Sequence, residues 1–140
     1  MSPTTASRTL GVGRLLIAVY AVLALAATAR SFVQIVERFD EAPVAYLLSA
    51  VAGVVYIVAT IALIKQGPFW YRVAWATISF ELLGVIVVGI LSLVDAELFP
   101  SDSVWSFFGR GYLFIPLVLP ILGMLWLSRQ GQRNAVEASA

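Results

Sequence analysis

At 61% hydrophobic and only 12% charged in 140 residues, with a mean hydropathy of +0.94, the chain is too apolar for a soluble domain, where roughly 45–50% apolar and about 25% charged is usual. It reads as a membrane protein with room for one helical bundle and no separate soluble domain. The absence of Cys and His excludes disulfides, thiolate chemistry, CxxCH haem attachment, imidazole-held metals and the commonest general base, and a net charge of +1 leaves no basic block for nucleic acid.

The polar start, residues 1–9, reads as a disordered tail. Arg14 then precedes LLIAVYAVLALAATA, which is short for a span of about 20 residues. It extends through Arg30 into SFVQIV, because a long arginine near a helix end snorkels to the headgroups, and a first helix is expected over 14–36. A basic start, an apolar run and Ala27, Thr28, Ala29 also resemble a signal peptide with its cleavage site. The apolar run is at the upper limit for such a region, and the pattern continues at Phe32, Val33, Ile35 and Val36, which favours a retained span. Whether residues 1–29 are cleaved stays open at this level.

A second helix is expected over 43–64, with Pro43 suited to its first turn, a third over 69–94 and a fourth over 111–127. Residues 130–140 return to water as a disordered tail. The expected fold is therefore all-α: a polytopic membrane protein built as a single domain, a four-transmembrane-helix bundle.

Lys and Arg at the helix ends set the orientation. Arg8, Arg14, Lys65, Arg72, Arg129 and Arg133 fall on one side, against Arg30, Arg38 and Arg110 on the other. Both termini are expected in the cytoplasm, with the protein in the cytoplasmic membrane of the cell. The longest outer loop, DAELFPSDSVWSFFGRGY, is expected to carry a short helix capped by Ser101 or Asp102. Its Val104, Trp105, Phe107 and Phe108 would lie flat in the interface as an anchor. The sharper alternative is a lid or docking surface over the bundle.

Glu81 stands inside the third span. It is nine residues beyond Arg72, so at 1.5 Å per residue it lies roughly 13–14 Å in, near the middle of a core about 30 Å thick. Arg72 falls on the opposite face of the same helix, so the partner must come from another one. Tyr56 is nine residues from Lys65 and Pro120 nine from Arg129, which sets both level with Glu81. Pro120 leaves the Pro116 carbonyl without its helical donor, and Pro116 does the same to the Tyr112 carbonyl, so the fourth helix should be kinked. Arg30 stands about 10 Å higher, within reach of Glu81 only at full stretch. Gln34, Glu37 and Arg38 continue its polar stripe toward the outside.

Small residues mark packing faces. Ser49 and Gly53 do so on the second helix, Ala18, Ala21, Ala24 and Thr28 on the first, and Gly84 on the third, where Thr77, Glu81 and Val88 share its face.

Two readings of Glu81 follow. In one it is a buried fastener, hydrogen-bonded to Tyr56, Tyr20 or a fourth-helix carbonyl, in a non-enzymatic accessory, packing or lipid-contacting subunit. In the other it is a proton or cation site in a small carrier or channel that also uses Tyr56 and Arg30. One acid without a second acid or His makes a poor relay, which favours the first. No paired carboxylates, Ser/Lys dyad or metal cage can be assembled within the spans. Both GxG pairs lack the strand that nucleotide binding needs. No catalytic residue, metal or cofactor is expected; the partners expected are membrane lipids and another protein or further copies of the chain.

The stretches VWSFFGRGYLFIPLVLPILGMLWLSR, FDEAP and WATISFELLGVIVVGILSLVD resemble a group of small actinobacterial four-helix integral membrane proteins over nearly the whole chain after residue 10. That group has no assigned activity. The resemblance implies an architecture and supplies no catalytic or binding residue.

Overall fold

The computed structural model describes residues 5–65, 67–95, 97, 99 and 101–139, with side chains placed over 11–131 of these. The fold is all-α. In chain order come α1 (Thr5–Arg38), a 3-10 turn (Phe39–Glu41), α2 (Pro43–Ile64), α3 (Pro68–Val94), a 3-10 segment (Ser106–Tyr112) and α4 (Ile115–Ser139).

Gly11–Glu41, Pro43–Ile64 and Pro68–Val94 are each long and apolar enough to cross a membrane. Ser106–Tyr112 with the start of α4 makes a fourth span if that pair, bent by 97°, counts as one. Helices suit such an environment because hydrocarbon offers no partner for backbone N–H and C=O groups, and a helix pairs them internally. At 22 residues α2 is about 33 Å long, close to the thickness of the hydrocarbon core, whereas the 34 residues of α1 give about 51 Å and must tilt or project.

Three helix starts carry proline in the first turn, at Pro43, Pro68 and Pro116, where the missing N–H costs nothing. Helix α1 begins at Thr5 and α4 continues to Ser139, so residues 5–9 and 130–139 are helical where tails were expected. Adding residues to an existing helix needs no new nucleus, and neither segment contains proline. The rest of the expected tails, residues 1–4 and 140, lies outside the described residues.

The fourth helix starts at Ile115, later than the expected 111, because Leu113 and Phe114 take positive φ of 58° and 61°. Pro116 consequently occupies the first turn and interrupts nothing; Pro120 is the proline inside α4. The sharp bend thus precedes both prolines.

Helix α1 packs most extensively on α2, α3 lies against both α2 and α4, and α1 meets α4 only lightly. Small residues and tyrosines take a large share of the interior: Ala27, Ala45, Ala52, Ala59 and Ala74 are buried with Tyr20, Tyr46 and Tyr56, beside aliphatic groups such as Leu16, Leu23 and Ile78. Large aliphatic groups such as Leu15, Leu25, Leu83 and Leu93 point outward. That inversion fits association in lipid, where close backbone approach replaces the hydrophobic drive. On α1 the buried alanines are Ala24 and Ala27, while Ala18 is exposed. Gly53 lies against α1, where an added Cβ would stand 3.0 Å from Thr28 Oγ1.

The loop after α3 enters the bundle instead of lying flat. Ser103, Val104, Trp105 and Ser106 are all buried. Val104 N–H donates to Ser49 Oγ (3.0 Å), Phe107 N–H to Ser92 Oγ (3.3 Å) and Ser103 N–H to Ser106 Oγ (2.8 Å). These serines supply the acceptors that a non-helical backbone at this depth requires. Ser49 therefore holds the loop as well as marking a helix face.

Replacing Gly53 with Ile should force α1 away from α2. A loss of about 1–3 kcal/mol is expected, measured by reversible unfolding in mixed micelles against a Val54→Ile control on the exposed side.

Candidate functional site: a sealed polar cluster around Glu81

Each long helix and the inserted loop bring one group to the same place. Glu81 faces inward from α3 and is fully buried. Tyr20 of α1, also fully buried, donates its hydroxyl proton to Glu81 Oε1 at 2.6 Å. The Tyr56 ring of α2 lies 6.2 Å from the Tyr20 ring, tilted by 49°. Its hydroxyl accepts the Trp105 Nε1–H at 2.8 Å. On α4, a Cβ added at Gly123 would come 3.7 Å from the Tyr20 hydroxyl. Glu81 Oε2 is buried with no hydrogen-bond partner among the described residues.

Trp105 reaches this depth because α3 makes space for it. A Cβ at Gly84 would stand 2.5 Å from the indole, and one at Gly89 would overlap the Phe108 ring. Glycines at 84 and 89 thus leave room on α3 for Trp105 and Phe108 of the loop. Tryptophan was expected at the membrane surface; its need for an N–H acceptor when buried, together with that glycine pair, is the signal that points inward.

Tyr20 and Glu81 meet directly, and Tyr56 joins them through ring packing and the indole. Between Tyr56 and Glu81, and between any α4 carbonyl and Glu81, no hydrogen bond occurs among the described residues. Pro116 and Pro120 are buried; Pro116 packs where a Cβ at Gly109 would come within 2.8 Å of its ring.

Arg30 does not belong to the cluster. Its guanidinium donates to the Asp102 carbonyl at 2.9 Å and lies 5.9 Å from the centre of the Tyr112 ring. Depth along a helix gave the height of Arg30 but not the loop carbonyl that occupies it. With the Tyr46 hydroxyl donating to Ser101 Oγ at 3.3 Å, it fastens the outer rim of the loop.

Chemically the cluster offers one carboxyl group, two phenols and an indole, all within the buried core. No group of three or more Asp or Glu side chains that could hold a metal occurs among the described residues.

Comparison with protein-family models, with curated proteins and with solved structures finds no match to this chain.

Tyr20→Phe should cost about 0.6–1.7 kcal/mol, the range of interhelical hydrogen bonds in membranes. Combined with Glu81→Leu, the loss should be less than the sum of the single losses, as a double-mutant cycle will measure. Trp105→Ala should speed amide hydrogen exchange at Val104 and Phe107 and leave the middle of α2 protected.

Proposed function

We propose that the protein crosses the cytoplasmic membrane four times with both termini inside, and acts as a non-enzymatic accessory or packing subunit that contacts lipid and a protein partner. The observation that carries this reading is the Tyr20–Glu81 hydrogen bond closed beneath Trp105. A polar group held between two helices and covered by a third element sets which helices pair. A coupled carrier would need that group to meet solvent on alternate sides, and Arg30, the cation assigned to such a path, is engaged at the rim by Asp102 and Tyr112. The fourth crossing is the bent pair formed by Ser106–Tyr112 and α4. The sidedness rests on the excess of Lys and Arg at the α2–α3 turn and the termini.

Gentle extraction should bring down a stoichiometric partner, and a clean monomer would count against the accessory role. Purified protein in liposomes should give no pH-dependent proton or cation flux above empty vesicles; a flux abolished by Glu81→Gln in a correctly folded variant would replace this reading with transport. Because the sequence has no cysteine, single cysteines report sidedness cleanly. Glu41→Cys should react with a membrane-impermeant maleimide in intact cells and Lys65→Cys only after lysis; the reverse pattern would invert the topology.

A further inference from the structure

The end of the bundle at the α2–α3 turn is built differently from the sealed end. All four helices border a cleft there of about 540 Å³, within the roughly 300–1,000 Å³ of small-molecule sites. Its apolar lining comes from Ile17 of α1, Leu63 of α2, Ala74 of α3 and Leu127 of α4, and Tyr71 and Gln130 add polar groups. Arg14 and Lys65 line it as well, both exposed. Neither forms an ion pair among the described residues, and no Asp or Glu lines the cleft. Gly67 and Pro68, the start of α3, line it beside Ala62, Leu63 and Ile64, the end of α2, so the opposed ends of two helix dipoles meet there and the positive charge comes from the two side chains.

Two unneutralised cations beside apolar walls ask for an amphiphile with an anionic head. Inorganic phosphate would satisfy the cations and leave the aliphatic walls facing water. A zwitterionic lipid would bring its own cation beside its phosphate, so only an anionic one offers the two basic side chains a net negative headgroup. Basic pockets between membrane helices hold phosphate-bearing headgroups for this reason. We propose that this cleft is a binding site for an anionic phospholipid, with its phosphate at Arg14 and Lys65 and its glycerol and first acyl carbons along Ile17, Leu63 and Leu127. The assignment rests on the membrane reading and is independent of which face is cytoplasmic.

The test is native mass spectrometry of the protein released from nanodiscs containing equal amounts of phosphatidylglycerol and phosphatidylcholine. Phosphatidylglycerol should be retained preferentially. Arg14→Gln and Lys65→Gln should each weaken its retention about fivefold, from about 1 kcal/mol per basic residue near the lipid surface. Arg129→Gln removes the same charge from a residue outside the cleft and should leave the preference intact. Helicity by circular dichroism confirms that the variants are folded, and the two single substitutions serve as independent checks on each other. Equal retention of both lipids, or equal loss in Arg129→Gln, would overturn the proposal. So would binding of inorganic phosphate to delipidated protein as tightly as phosphatidylglycerol. Failure of the membrane reading would show separately, as protein that leaves the membrane fraction without detergent.

Discussion

A carboxyl group surrounded by hydrocarbon has no water to bond with, so its position dictates what must surround it. Here that constraint begins at Glu81 of α3, and the Tyr20 hydroxyl of α1 answers it across the middle of the bundle. The two residues are sixty-one positions apart, so the bond ties α1 to α3, two helices that otherwise each pack on α2. The gain from such a bond in a membrane is small. Its consequence is mainly selective: a rotated α1 or α3 would bury the same polar groups without partners, and that alternative is the costly one.

The inserted loop extends the same logic. Phe107, Phe108 and Gly109 adopt consecutive left-handed conformations, which cost about 1–2 kcal/mol for each non-glycine residue. They turn the chain so that Trp105 and Phe108 both face α3, where Gly84 and Gly89 leave room. The indole N–H then finds the Tyr56 hydroxyl, and the backbone N–H groups of Val104 and Phe107 find serines on α2 and α3. The strain is sustained because every buried donor named here is satisfied and the tryptophan is almost wholly withdrawn from the surface. Arg30 and Tyr46 hold the rim, where the acceptors are a loop carbonyl and a serine hydroxyl.

Much of this was legible along single helices. Composition gave the all-α membrane class, Pro43 the start of α2, and residue spacing the inward face of Glu81 and the level of Tyr56, while Tyr20 was one of several possible partners with no spacing to single it out. What spacing along one helix cannot encode is rotation about neighbouring axes or the path of a loop. Arg30 had the right height for a stretched pair with Glu81, yet a loop carbonyl and the Tyr112 ring stand closer to hand. Trp105 and Phe108 carried an interfacial composition, and the space left at Gly84 and Gly89 admits them against α3. The late start of α4 comes from positive φ at Leu113 and Phe114, residue types that give no advance sign of it.

The two ends of the bundle consequently differ in kind. At one end a folded-in loop enters the space between helices, and the Val104 and Phe107 N–H groups and the Trp105 indole are paired within the chain. At the other a short turn between α2 and α3 leaves the space open, with Arg14 and Lys65 beside it. Between them, Ile78 lies one turn from both Ala74 of the cleft and Glu81 of the cluster, and is itself fully buried. An occupant of the cleft would touch α1, α2, α3 and α4 together, below the level where Tyr20 and Glu81 join α1 to α3. Binding there would reinforce the light contact between α1 and α4 without entering the sealed cluster. The buried hydrogen bond and the open cleft thus act on the same helix arrangement from separate heights, one by selecting it and the other by adding to its closure.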